Sequence, residues 1–185
     1  KTKAVEVFAP YPNIPRPNLY DVISDARNNA YFTIFGADQI GRIDAKTGRI
    51  QMCKTPTPRS APRRGSLDAQ GRFWFGENAG DRIGMFDPKT EQIKEWIPPT
   101  PFAWPYDVAV DAKGEAWTGG EWDDRILRLN PATGEFVQYL LPRFTNLRRT
   151  FVQNTPQGTA FWVGNTHEAS IIKLEPLDGA KAAAR

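Results

Sequence analysis

The sequence predicts an all-β fold, a β-propeller of four-stranded antiparallel blades, and three observations predict it. Aromatic residues recur at Tyr31, Trp74, Trp117 and Trp162, in steps of 43, 43 and 45 residues. Further columns keep the same register: Ile40, Ile83, Ile126 and Ile171; Asp44, Asp87, Asn130 and Glu175; Asp25, Asp68, Asp111 and Gln153. Glycine and proline, 15 and 16 residues of 185, interrupt nearly every long window, which argues against a helical bundle. A period of about 43 is that of a blade with four strands.

The elements of one unit follow in order, the third being the clearest. Tyr106-Asp107-Val108-Ala109-Val110-Asp111 is a short inner strand. Asp111-Ala112-Lys113-Gly114 is a tight turn, since Asp opens turns and Gly tolerates positive φ. Glu115 to Gly119 is a second strand, and Arg125-Ile126-Leu127-Arg128-Leu129 alternates as a half-buried third. Asn130-Pro131-Ala132-Thr133-Gly134 is a hairpin turn, and Glu135 to Tyr139 is an outer strand. The recurrent Trp and Ile read as packing between blades, and the Asp-x-x-Gly segments as turn chemistry.

The propeller region spans residues 1–179, in repeats 19–58, 59–101, 102–142 and 143–179, with 180–185 a tail. Residues 4–9 read as an outer strand without its own blade, and the fourth repeat stops near Gly179 without an outer strand. Two organisations follow. The first strand completes the last blade and closes a small ring, or the chain is the last four blades of a longer propeller. An open arc leaves an apolar blade face that missing blades or a second copy would cover.

Composition narrows the function classes. With 24 basic and 21 acidic residues the net charge is +3, and the basic side chains are scattered, so no nucleic-acid footprint stands out. No apolar run is long enough for a membrane span. One cysteine, Cys53, rules out an internal disulfide, and one histidine, His167, rules out a multi-histidine metal centre within the chain. The start on Lys1-Thr2-Lys3 suggests a processed product or a piece of something longer, which with the single Cys fits a periplasmic or secreted protein and equally a trimmed cytosolic one.

One constellation lies at the starts of the inner strands. The first and third repeats carry Tyr20-Asp21 and Tyr106-Asp107, and the second and fourth carry Arg63-Arg64 and Arg148-Arg149. Innermost strands line a propeller's channel, so these side chains ring its mouth. Either Asp and Arg neutralise one another there, or the arginine forks hold an anion while Tyr20, Tyr106 and Trp104 stack on its ring. A second set lies in the turns between second and third strands, which share the mouth's rim: Glu121, His167 and Glu168. The pKa range of His167 suits a general base, and Glu121 and Glu168 are carboxylates able to ligate a metal.

The repeats resemble those of the virginiamycin B lyase (streptogramin lyase) family. The resemblance rests on Leu67-Asp68-Ala69-Gln70-Gly71-Arg72-Phe73-Trp74-Phe75-Gly76-Glu77 with Asp81-Arg82-Ile83-Gly84-Met85-Phe86-Asp87, and on Pro105 to Asp111 with Arg125 to Leu129. It runs from about Ala4 to Asp178 and implies more than four blades. It also implies a carbon–oxygen lyase that opens a cyclic depsipeptide by elimination, with Mg²⁺ held by carboxylates and His167 as general base. The family's motif glutamate falls three residues after the aromatic, where this sequence has Glu77, Gly120 and Asn165. The alternative is a non-catalytic ligand- or protein-binding propeller domain of a larger secreted protein.

Overall fold

The computed structural model describes residues 4–11, 13, 17–156 and 158–177. Every regular element among them is a β-strand. The first sheet contains β1 (Leu19–Ser24), β2 (Ala30–Ile34), β3 (Gln39–Ile43) and β4 (Ile50–Lys54). The second contains β5 (Pro62–Leu67), β6 (Phe73–Glu77), β7 (Arg82–Asp87) and β8 (Gln92–Trp96). The third contains β9 (Pro105–Val110), β10 (Ala116–Gly120), β11 (Arg125–Leu129) and β12 (Phe136–Leu140), and the fourth β13 (Leu147–Thr155), β14 (Gly158–Asn165) and β15 (Ser170–Leu174). Each sheet is an antiparallel meander in chain order, of four, four, four and three strands, so the repeat is a propeller blade as the spacing predicts. Among the described residues no helix is long and apolar enough to cross a membrane.

The recurrent columns build the packing between blades. Tyr31 and Ile40 of the first blade meet Phe73, Phe75 and Phe86 of the second. Trp74, Ile83 and Trp96 of the second meet Val108, Ala116 and Leu129 of the third. Trp117 and Ile126 meet Leu147, Phe161 and Val163 of the fourth. Fully burying one such side chain stabilises by roughly 1.5–3 kcal/mol, which is why the columns keep register. The fourth unit's Ile171 is 79% exposed instead.

The aspartate column acts as turn chemistry. Asp111 accepts the Lys113 and Glu115 N–H groups and the Trp117 indole N–H at 3.0 Å, and Gly114 turns the chain at φ +82°. Asp68 does the same for Gln70, Arg72 and Trp74, and Gln153 takes the Trp162 indole N–H.

A second column, Asp38, Asp81 and Asp124, pins successive blades together. All three have positive φ, and each carboxylate accepts backbone N–H groups from the next connection: Arg59 and Ala61, Phe102 and Trp104, and Thr145. Steps of 43 and 43 residues carry that signal, and the fourth position is Ala169, also at positive φ.

Residues 4–9 correct one expectation: they form no strand. A strand needs a ladder partner. Phe8 and Pro10 instead line a cavity of about 320 Å³ on the first blade with Leu19, Val22, Phe32 and Ile43, while Val5 and Val7 stay exposed. The tail 180–185 lies outside the described residues.

Candidate functional site

The inner strands reach the mouth through a shared irregularity. Pairing slips between Leu19 and Asp21 in β1, between Pro62 and Gly65 in β5, opposite Thr118 and Gly120 in β9, and between Leu147 and Thr150 in β13. The slips fall on Tyr20, Arg63-Arg64, Tyr106-Asp107 and Arg148-Arg149. A bulge frees a residue from the ladder and re-aims its side chain, so all four blades deliver their residues to one place.

The mouth is a network of rings, guanidiniums and carboxylates. Tyr20 and Tyr106 join through their hydroxyls. Arg63 lies over Tyr106, 4.5 Å from the ring centroid, and over Phe35 and Tyr20 at 5.0 and 5.7 Å. Arg148 covers Tyr106 and Arg64 covers Tyr20 at 5.7 and 5.6 Å. Arg64 pairs with Asp21 at 3.3 Å, and Arg149 bridges Asp21 and Asp107 at 3.8 and 3.7 Å. Arg63 pairs with Glu121 at 3.2 Å and Arg148 approaches the same carboxylate at 4.0 Å. Four guanidiniums therefore face three carboxylates, Asp21, Asp107 and Glu121. Burial pushes the Asp107 carboxyl up to about 6, against the Thr150 N–H and the Arg149 charge, which pull it down.

The expected ring residues are brought together, with Trp104 one step outside. Its carbonyl accepts from the Asn78 amide, which also donates to Glu121 Oε2 at 3.0 Å. The faces of Tyr20 and Tyr106 are already covered by arginines, so they act as a floor beneath the guanidiniums.

The metal set is not assembled. Glu121 is buried and committed to Arg63, Arg148 and Asn78, and the two arginine charges repel a cation. Glu168 is exposed and pairs with Arg143 at 3.3 Å. Among the described residues no group of three or more His, Cys, Asp or Glu side chains could hold a metal ion. The residues present therefore do not fit a Mg²⁺ site. Glu77, at the family's motif position, is fully buried at the end of β6 and lies against the Glu95 carboxyl.

His167 sits on the rim in an aromatic setting. Its ring stacks on Phe144 at 4.6 Å and 20°, and meets Trp122 at 5.5 Å and 54°. Sequence reasoning missed Phe144, Trp122 and the coupling residue Asn146. Asn146 accepts from Arg148 Nε and Thr166 Oγ1, each at 2.8 Å, and donates to the Glu121 carbonyl. The concentration of aromatics in the rim connections was the available signal.

No protein-family model matches the sequence, and no curated protein matches it. Solved structures share the fold. A streptogramin B lyase structure aligns with a TM-score of 0.75 at 24% identity, over 91% of this chain and 58% of that one. A catalytically inactive virginiamycin B lyase from Staphylococcus aureus with quinupristin aligns with a TM-score of 0.72 at 22% identity, over 89% and 57%. A hydrazine synthase from Kuenenia stuttgartiensis aligns with a TM-score of 0.71 at 13% identity, over 94% and 51%. The chain thus spans little more than half the length of these structures. The propeller expected from the repeat is borne out. One fold at similar TM-scores carries different activities, so function has to be argued from the site.

Proposed function

We propose that this propeller unit is a ligand-binding module that holds an anionic group at the channel mouth. The observation that carries the reading is the excess of guanidinium over carboxylate there, with the side chains of Arg148 and Arg149 49% and 47% exposed. Arg63 is locked by Glu121 and stacked on Tyr106, so it supplies a fixed positive field. Arg148 and Arg149 keep donors free to fork a carboxylate or similar oxyanion. Calorimetric titration of the chain with benzoate at low ionic strength tests this. Saturable binding that weakens with salt and is lost in Arg148→Ala/Arg149→Ala supports it, and no saturable binding overturns it.

A depsipeptide-opening lyase is the second reading, favoured by the fold likeness and by His167 on the same rim as the mouth. In it the His167 imidazole takes the proton alpha to a carbonyl and the ester oxygen leaves. Opening of a streptogramin B that is abolished in His167→Ala would raise this reading above the first.

A further inference from the structure

The tyrosine faces at the mouth are taken by arginines, so a ring carried by the bound anion needs another platform. Seven connections lie on the mouth's rim: 35–38, 55–61, 78–81, 97–104, 121–124, 141–146 and 166–169. Six large aromatics are strongly exposed among the described residues, and four of them, Phe102, Trp104, Trp122 and Phe144, lie in these connections. Trp122 and Phe144 are 47% and 58% exposed and both touch His167. Leaving such rings in water is unfavourable, and their clustering on one functional edge marks a binding surface.

This surface is wired to the arginine mouth. Asn146 accepts from Arg148 and from Thr166, and donates to the Glu121 carbonyl. Its partners are therefore Arg148 itself and the chain neighbours of His167 and Trp122. Asn146 thus ties Arg148 to the two connections that carry Trp122 and His167.

Resting on the anion-binding reading, we propose that Trp122, Phe144 and His167 form a stacking subsite, and that the ligand is a planar aryl or heteroaryl acid. Ring stacking supplies affinity on a surface where the ion pairs alone are partly screened. The His167 ring extends the face of Phe144, a role separate from proton transfer.

The test is calorimetric titration of the whole chain with 2-naphthoate, cyclohexanecarboxylate and acetate, at one pH and ionic strength. 2-Naphthoate should bind about tenfold or more tighter than cyclohexanecarboxylate, which has the same charge but no planar face. Trp122→Ala and Phe144→Ala should each remove about two- to tenfold of that preference and leave acetate binding unchanged. Trp122→Phe should restore most of it, which a general loss of folding would not allow. Equal binding of the three acids, with no effect of the aromatic substitutions, overturns the stacking subsite and leaves the anion site standing. Binding of none of the acids overturns both.

Discussion

The Arg63 guanidinium on β5 reaches the Glu121 carboxylate after β10 at 3.2 Å, with the Tyr106 ring beneath it. The pair joins the second and third blades at the mouth, and both side chains are largely withdrawn from water. Removing one partner of such a pair leaves the other charge without compensation. Glu121→Ala is therefore expected to lower stability by about 3–5 kcal/mol, and Glu121→Gln by less, since its one amide oxygen still accepts from Arg63, although its NH2 then stands where an oxygen took the Asn78 amide. Urea unfolding of the three proteins checks this. Equal midpoints for Glu121→Ala and the parent would show the pair to be dispensable.

Anion binding at the mouth should depend on pH through Asp107. Its carboxyl is pushed up to about 6, so below that pH it is neutral and the mouth gains one net positive charge. Affinity for 2-naphthalenesulfonate, which stays ionised throughout, is expected to fall about three- to tenfold between pH 5 and pH 7. Asp107→Asn should flatten most of this profile and hold the affinity near its acid value. Asp123 on the rim, whose carboxyl burial also raises to about 6, adds to any residual slope. A wild-type profile already flat over this range would exclude Asp107 as the titrating group.

The blade architecture was legible because each recurrent residue has a local job that recurs with it. Trp74 and Trp117 give their indole N–H groups to Asp68 and Asp111, and bury their rings against the next blade. The mouth was legible as a column of Tyr-Asp and Arg-Arg pairs, because register alone brings inner-strand starts together. The partners were not. That Glu121 turns inward to Arg63, while Glu168 turns outward to Arg143, depends on which arginine is within reach, 58 residues away in the neighbouring blade for the one and 25 residues away in the same repeat for the other. The strand expected at residues 4–9 failed for a similar reason: alternation describes a strand's faces and not its partner.

Glu77 is expected to give the protein a stability that falls as pH rises. Burial, then the charge of Glu95, pushes its carboxyl from 4.5 up to about 9, while Arg82 opposes and Asp38 adds to the shift. The folded chain thus keeps a proton that the unfolded chain releases above about pH 4.5. The unfolded state binds fewer protons over that interval, so unfolding becomes easier as pH rises towards about 9, by at most about 1.4 kcal/mol per pH unit. Glu77→Gln carries no such proton and should be the more stable protein at pH 8, with a flatter profile. Denaturant midpoints from pH 5 to pH 9 decide it: parallel curves for the two proteins would mean that Glu77 is ionised in the fold.

Two glycines separate close approach from simple tolerance. Gly65 lies in β5 beside the Arg63-Arg64 bulge, opposite Phe75, and its N–H faces Asp21. A Cβ there would collide with the Trp74 carbonyl and come within 3.0 Å of the Phe75 Cα, both main-chain atoms of the paired strand. Neither atom yields without moving β6, whose Trp74 and Phe75 are fully buried. Gly164, in β14, has no atom within 4 Å of its Cβ position and no positive φ. Gly65→Ala is therefore expected to lose about 3 kcal/mol or more, and with it the arginine mouth. Gly164→Ala should be neutral or stabilising by up to about 1 kcal/mol, because alanine loses less chain entropy in a strand. Thermal unfolding of both variants beside the parent, with benzoate titration of whatever folds, checks the contrast. A Gly65→Ala protein with unchanged stability and anion affinity would show that β5 and β6 part easily, and that the bulge does not depend on their close approach.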